Sequence, residues 1–125
     1  MQYYSDDGSL TEDHHTLKWI NTLLGAARTL GRDPSPGPQI EGWMRDAGFT
    51  NIVAQTYKVP IGPWAKDKRL KDIGLCNLVQ TLEGLEGFSL RLFCGVLGWK
   101  EEEVMILLAK VRSEMKAGKI HFLFN

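Results

Sequence analysis

The spacing of apolar residues predicts helices separated by turns rich in Gly and Pro. The first helix is marked by four residues spaced three and four apart, which are Leu17, Ile20, Leu24 and Ala27. Ser9 and Glu12 form a capping-box pattern before it, so a helix is predicted to follow and to run through Leu30. A second, short helix is predicted from Pro38 onwards, with Gly48 as its stop and one buried side formed by Ile40, Trp43, Met44 and Ala47.

Strand signals are few. The segment Asn51 to Val59 is rich in β-branched and aromatic residues and contains no Gly or Pro, which predicts a strand. Residues 1–8 are predicted to be the tail of a strand and a turn, and Ile120 to Phe124 the start of another strand. One good strand and two partial strands do not form an independently stable sheet, so the pattern predicts an incomplete domain.

The second half of the chain is predicted to be mainly helical. Gly84, Gly87 and Gly95 interrupt the region after the IGPW turn, which favours two short helices over one long helix. The last helix opens with three glutamates, favourable at the positive end of a helix, and Gly118 stops it. Its apolar side contains Val104, Leu107, Leu108, Val111 and Met115.

Composition excludes several classes of protein. The chain has 125 residues, 43% of them hydrophobic, which predicts one small domain with a packed core. Lys and Arg together number 15, as do Asp and Glu, and this balance argues against a nucleic-acid or anionic-membrane binder. No apolar run approaches the roughly 20 residues that span a bilayer, and the acidic N-terminus is not predicted to be a signal peptide.

Two cysteines, Cys76 and Cys94, lie outside any CxxC pair. The favoured interpretation is a reduced intracellular protein, in the cytoplasm or the nucleus, with two core cysteines. A disulfide and a catalytic thiol are the alternatives.

Several sequence blocks occur in a fixed order along the chain. The most distinctive block is KVPIGPWAKDKRLKDIG, from Lys58 to Gly74. The others are SDDGSL (residues 5–10), LGRD (30–33), MRDAGF (44–49), EGLEGFSL (83–90), LGW (97–99) and VR (111–112). Together they cover essentially the whole chain. In this order they resemble the LaeA-like methyltransferases of fungi, which use S-adenosylmethionine, and the block from Lys58 to Gly74 is the most specific to that family.

The resemblance implies an α/β chain that is the C-terminal portion of a Rossmann-like class I methyltransferase. It would begin within the fifth strand and stop early in the seventh, leaving an incomplete sheet with a helix-rich insertion between the last two strands. Residues 1–59 would hold the end of a central strand, helices and the next strand. Residues 60–118 would form a helical, lid-like region, and residues 119–125 would start the last strand.

Cofactor binding in that fold uses a glycine-rich turn after the first strand and an acidic residue that ends the second. No glycine-rich loop follows a strand in this sequence, so no cofactor-binding residue is assigned. S-adenosylmethionine is expected to serve the parent family and not to bind this chain alone.

The resemblance also suggests candidate residues on the substrate side. The turn with Trp64, Lys66 and Asp67 would lie over the substrate pocket, at the carboxyl end of the sheet. Tyr3 and Tyr4, with the acidic pair Asp6 and Asp7, would follow the fifth strand. The alternative interpretation is structural: Trp64 packs a helix on the sheet, and the acidic pair is a solvated turn.

Other polar clusters favour simpler interpretations. Adjacent residues on a helix point about 100° apart, so His14 and His15 are not predicted to share a metal ion. His121 is weighed as a general base, although the sequence suggests no partner for it. A basic cluster of Lys66, Lys68, Arg69 and Lys71 could contact nucleic acid or an acidic partner, but a solvated helix face is favoured.

The leading hypothesis is a methyltransferase segment that contributes substrate-side structure, lacks the cofactor loop and is inactive alone. Its partner would be the missing N-terminal half. The alternative is a short non-catalytic protein that acts by association with a protein partner in a regulatory complex of secondary metabolism or development. An unrelated helical binding module is a third interpretation, which leaves the DAGF corner and the strand unexplained.

Overall fold

Three short strands and four helices make up the computed structural model, which describes residues 2–125. In chain order the elements are β1 (Tyr3–Tyr4), α1 (His15–Thr29), α2 (Gly37–Asp46), β2 (Val59–Ile61), α3 (Lys68–Gly95), α4 (Glu101–Ala117) and β3 (Phe122–Phe124). The predicted last helix, its stop at Gly118 and the final strand are confirmed.

The strands form one sheet in the order β1-β3-β2. β3 is antiparallel to both neighbours, with Phe124 opposite Tyr3 on one side and opposite Val59 on the other. β1 and β2 are therefore parallel to each other, and a parallel pair requires a crossover connection, which here contains α1 and α2. The predicted α/β class is confirmed.

The core lies among α1, α3 and α4. Trp19, Leu85, Phe93 and Leu108 are each at most 1% exposed. The Trp19 indole N–H donates to Ser89 Oγ at 2.7 Å, and Ser89 is completely buried. This bond satisfies the polar atom of the largest core side chain, because a buried donor without a partner costs about 1–3 kcal/mol.

The start of α1 is held by α4 rather than by a local cap. The predicted capping box of Ser9 and Glu12 is wrong, since the helix begins at His15 and Ser9 Oγ accepts from the backbone N–H of His121. Glu114 instead accepts from the backbone N–H groups of His15 and Thr16, at 2.7 and 2.8 Å, and from the Thr16 hydroxyl at 2.7 Å. A carboxylate at a helix N-terminus suits the free donors and the helix dipole.

These contacts also set the ionisation of Glu114. Partial burial raises the pKa of its carboxyl group, but the hydrogen bonds from Thr16 and His15 outweigh burial and leave the pKa below its ordinary value. The carboxylate therefore stays charged at neutral pH, where it joins α4 to the first turn of α1.

The region after residue 68 is one continuous helix, so the prediction of two short helices is wrong. α3 spans 28 residues and is capped by Asp67, whose side chain accepts from the Leu70 backbone N–H at 2.9 Å. Its glycines do not break it because one side of the helix is fixed in the core through Leu85, Ser89 and Phe93. Tertiary packing here overrides helix propensity.

Gly74 lets α3 approach the turn that follows β2. The Gly62 backbone N–H donates to the Gly74 carbonyl at 2.8 Å, and a Cβ at residue 74 would lie 2.0 Å from the Gly62 carbonyl oxygen. Gly62 itself has a φ of 103°, which favours glycine. The two glycines together fix how β2 leads into α3.

The connection between α1 and β2 differs from the prediction. The proposed strand Asn51 to Val59 is wrong: residues 51–58 are largely exposed and form no ladder, and β2 begins only at Val59. The sheet described for residues 2–125 offers this segment no neighbour with which to pair. α2 is confirmed, but the predicted buried side is not, because none of its described residues is buried.

The apolar residues of this connection therefore face outwards. Trp43 is 52% exposed and Phe49 is 60% exposed, with Ile40, Met44 and Ala47 also exposed. We call Ile40, Trp43, Met44 and Phe49 the α2 surface. The two cysteines are unpaired, and Cys76 is exposed rather than part of the core. No described helix is both long and apolar enough to cross a membrane.

We expect Gly74→Ala to destabilise the protein by about 2 kcal/mol, because the new methyl group overlaps the Gly62 carbonyl. Gly87→Ala is the matched control: it lies on the same helix with open space around it, and should stabilise by about 0.5–1 kcal/mol. Urea-induced unfolding measures both. Equal effects of the two substitutions would contradict the close approach.

Candidate functional site

The ends of β1 and β2 and the start of β3 lie at one edge of the sheet. This follows from the antiparallel pairing, in which Ile61 lies opposite Phe122 and Tyr4 lies opposite Leu123. Residues that follow β1 or β2 are thus neighbours of the residues that precede β3. In open α/β sheets, ligands bind at the carboxyl ends of the parallel strands, which is this edge.

A tight turn after β1 places Asp7 at this edge. The Leu10 backbone N–H donates to Ser5 Oγ at 2.9 Å, and the Ser9 backbone N–H donates to Asp7 Oδ1 at 3.0 Å. Gly8 has a φ of 73°, a conformation that Gly adopts at little cost. Asp side chains favour such turns because they accept from a backbone N–H two residues later.

Three side chains meet at the edge. His121 Nδ1 lies 2.6 Å from Asp7 Oδ2, and the His121 ring stacks on Trp64 with ring centroids 4.9 Å apart. The Trp64 indole N–H donates to the Phe122 carbonyl at 3.3 Å. His121 is 43% exposed and Asp7 45%, so the pair is held in place but open to a ligand. We call Asp7, Trp64 and His121 the edge cluster.

Hydrogen bonds set the charge of Asp7. The Ser9 side chain and backbone N–H lower its pKa most, weak desolvation opposes them, and His121 lowers it further, to about 2. Asp7 is therefore a carboxylate at neutral pH and accepts a hydrogen bond from His121 Nδ1. In the neutral ring this assigns the proton to Nδ1 and leaves Nε2 as an acceptor.

The two candidate tyrosines have different environments. Tyr3 is 6% exposed, contacts Trp19 edge-on with centroids 6.1 Å apart and hydrogen-bonds Thr81, so it belongs to the core. Burial raises the pKa of its hydroxyl. The Tyr4 hydroxyl is buried and has no hydrogen-bond partner within residues 2–125.

Asp6 forms an ion pair with Lys58 rather than joining the edge cluster. Lys58 Nζ lies 3.0 and 2.9 Å from the two carboxylate oxygens of Asp6, and both side chains are more than half exposed. The Asp6 carboxylate raises the pKa of Lys58. The pair links the turn after β1 to the segment before β2.

Asp67 and Lys66 have simpler surroundings. Asp67 caps α3, as described above, and lines a cavity of about 490 Å³ together with Tyr57, Lys58 and Arg69. Lys66 is exposed, as are the other members of the basic cluster, Lys68, Arg69 and Lys71. Trp64 is thus the one of the three predicted turn residues that the structure brings into the edge cluster.

The histidine pair near the start of α1 has structural contacts. His14 Nδ1 lies 3.0 Å from both the backbone nitrogen and the hydroxyl of Thr11, and the His15 backbone N–H donates to Glu114. Over residues 2–125, no three His, Cys, Asp or Glu side chains come together in a way that could hold a metal ion.

Comparison with known proteins identifies relatives over nearly the whole chain. Methyltransferase pytC of Aspergillus terreus is 40% identical over 122 residues, which cover 98% of this chain and 38% of pytC. The probable methyltransferase tdiE of Emericella nidulans is 35% identical, covering 94% of this chain and 37% of tdiE. The secondary metabolism regulator laeA of Monascus pilosus is 35% identical, covering 86% of this chain and 29% of that protein.

The chain is homologous to fungal LaeA-like methyltransferases. The resemblance inferred from the sequence blocks is thereby confirmed. The chain spans less than two-fifths of the length of these relatives. No family profile matches the sequence, and no solved structure matches it.

Every member of the edge cluster is a candidate from the sequence, but sequence spacing does not connect them. Asp7 and His121 are 114 positions apart, and no local pattern pairs Lys58 with Asp6. A usable signal was present: an acidic turn after one strand and a histidine before a final strand meet whenever that strand runs antiparallel beside the first.

We expect Asp7→Asn to lower stability at neutral pH, with a difference from the parent protein that shrinks in acid. The folded-state pKa of Asp7 is below its ordinary value of 3.8, so its contribution is complete above about pH 3.8 and disappears as the pH falls through about 2. Unfolding by urea across this range tests it. Asp13→Asn, at another exposed acid, is the control and should change stability by less than about 0.5 kcal/mol. A difference that does not vary with pH would contradict the assignment.

Proposed function

We propose that this chain is the C-terminal segment of a class I S-adenosylmethionine-dependent methyltransferase and supplies the substrate side of its site. The observation that carries the proposal is the edge cluster: in a homologue of methyltransferases, Asp7, Trp64 and His121 converge at the carboxyl edge of β1 and β2. That edge is the ligand-binding edge of open α/β sheets.

The sheet supports this assignment. In a Rossmann-like domain β1, β2 and β3 would be the fifth, sixth and seventh strands. In the sheet described for residues 2–125, β1 is hydrogen-bonded to β3 on one side only, so its other edge is open to a further strand. A sheet of three strands, each two or three residues long, is below the size that is stable without further packing. The long helical region between β2 and β3 would be the lid.

The residues present do not form a site for S-adenosylmethionine. Within residues 2–125 the turn after β1 is acidic, and the turn after β2 is Gly62-Pro63-Trp64, so neither is a glycine-rich loop that opens a helix. A dinucleotide-type site needs such a loop for close backbone approach. We therefore assign donor binding to the part of the parent enzyme outside this chain.

Two further observations support a missing neighbour. The α2 surface leaves four large apolar side chains exposed close together in sequence, and exposed apolar clusters of this kind mark interaction surfaces. The Tyr4 hydroxyl is buried, and none of the described residues, 2–125, forms a hydrogen bond with it. A buried hydroxyl without a hydrogen bond costs about 1–3 kcal/mol, and an acceptor from the missing part would remove that cost.

A chimera tests the proposal directly. We would replace the matched segment of pytC with this chain and measure binding of S-adenosylmethionine by calorimetry and methyl transfer to the acceptor of pytC. We expect the chimera to bind the donor and to transfer methyl groups, and the isolated chain to do neither. Turnover by the isolated chain, or a folded chimera that binds no donor, would refute the proposal.

The same pair of proteins tests the role of the α2 surface. Trp43→Ala should change the stability of the isolated chain by less than about 0.5 kcal/mol, because the side chain is already half exposed. In the chimera it should cost about 3 kcal/mol, as expected for a large aromatic side chain removed from a packed interface. Ile106→Ala is the control, since Ile106 is 59% exposed but lies on α4. If Trp43→Ala changed the stability of the isolated chain and of the chimera equally, the α2 surface would not be part of the interface.

The α2 surface also favours a second function, in which the chain is a non-catalytic protein that acts by association. The open edge of β1 could then pair with a protein partner or with a second copy. Light scattering after size-exclusion chromatography discriminates the two functions. A defined oligomer that Trp43→Ala dissociates would favour association, whereas a monomer or non-specific aggregates would favour the enzyme segment.

A further inference from the structure

We propose that Asp7 and His121 form a proton-accepting pair for a methyl acceptor that carries an O–H or N–H bond. The proposal rests on the proposed function and specifies its substrate class. In it His121 is the catalytic base, because its Nε2 contacts the acceptor, and Asp7 is a positioning residue that acts through His121.

The geometry fixes the orientation of the imidazole. Asp7 Oδ2 holds Nδ1 at 2.6 Å, the Trp64 ring stacks on one face with an interplanar angle of 23°, and the His121 backbone N–H is anchored on Ser9 Oγ at 2.9 Å. A ring restrained at one nitrogen and on one face has little freedom to rotate. Nε2, on the far side of the ring from Nδ1, is left as the atom that can meet a ligand.

The Asp7 carboxylate faces the imidazole of His121 through Nδ1. A carboxylate in contact with Nδ1 stabilises the imidazolium that forms when Nε2 is protonated. Ser9 keeps Asp7 ionised independently of His121, through its backbone N–H at 3.0 Å and its hydroxyl. Asp7 is therefore an ionised hydrogen-bond acceptor for Nδ1 whether or not a ligand is bound.

The proton transfer balances within the pair and the acceptor. The O–H or N–H bond breaks, its electron pair stays on the heteroatom, and the proton bonds to Nε2. The ring gains one positive charge, which the Asp7 carboxylate faces across the Nδ1–H bond. The heteroatom then holds the electron pair that a methyl group requires. A thioether acceptor has no proton to lose, so the pair would have no role with it.

Two measurements on the chain itself test the geometry. Nitrogen-15 NMR of the imidazole should show the proton of the neutral ring on Nδ1. Carbethoxylation by diethyl pyrocarbonate, followed by mass spectrometry, should modify His121 at Nε2. Asp7→Asn should remove most of this reactivity, because an amide can donate to Nδ1 and shift the proton to Nε2, and Asp7→Glu should restore part of it. His14 and His15 are internal controls that should not respond.

The chimera described above tests catalysis. His121→Asn should lower kcat by at least about 10²-fold at saturating donor, the usual contribution of a general base, with little change in the donor affinity. Asp7→Asn should lower kcat in the same direction, and Asp7→Glu should recover part of the loss.

The outcomes separate this proposal from the proposed function. An active chimera whose kcat survives His121→Asn would overturn the pair as a base and leave the methyltransferase segment standing. The proposed pair would also be refuted, whatever the activity of the chimera, if the neutral ring carried its proton on Nε2. The same holds if the reactivity of His121 with diethyl pyrocarbonate did not change in Asp7→Asn. A folded chimera that binds no donor would refute the proposed function and this proposal with it.

Discussion

The placement of β3 between β1 and β2 is the constraint on which the rest of the structure depends. β3 is the only partner of each of the other strands in the sheet described for residues 2–125. Its antiparallel direction brings its first residues to the carboxyl edge of both neighbours. Without it, the turn after β1 and the turn after β2 would share no edge, and Asp7, Trp64 and His121 would not meet.

So short a strand cannot hold that position by its own hydrogen bonds. The helices behind the sheet supply the stability, through a core that includes Trp19, Phe93 and Leu108 and extends to Phe122 on β3. Glu114, one turn before the end of α4, ties α4 to the start of α1, while the contact of Gly62 with Gly74 ties β2 to α3. Each tie joins a helix to the segment that leads into or out of the sheet. The site is therefore precise because the helices are fixed, although its own residues are half exposed.

Local patterns predicted those parts of the fold that local physics decides. The helices after residue 14 and after residue 100 follow their apolar spacing, and Gly118 ends α4 in the left-handed conformation expected of a stop. Two of the failures involve tertiary contacts that local spacing does not encode. The first turn of α1 is capped by a carboxylate about a hundred residues away and not by the predicted capping box. α3 stays continuous despite its glycines because other residues of the same helix are packed in the core. Spacing along the chain carries no information about such partners.

The two errors in the connection between α1 and β2 have a different cause. The composition of residues 51–59 is that of a buried strand, and the spacing of Ile40, Trp43 and Met44 is that of a buried helix face, yet neither is buried in this chain. An apolar pattern indicates that a segment is stable when its apolar side is buried. Among the helices, the described residues bury such a side for α1, α3 and α4 only.

In the proposed enzyme, the acceptor side and the donor side of the site would therefore come from different parts of the protein. The edge cluster is oriented within this chain, through contacts among its members and through Ser9 and the Phe122 carbonyl. In the proposed function the donor site lies outside this chain, because none of the described turns is a glycine-rich loop that opens a helix. The chain would then hold and deprotonate an acceptor, and it would have to join another surface before a methyl group could move. The apolar residues of α2 and the unpaired hydroxyl of Tyr4 are the features of this chain that such a surface would satisfy.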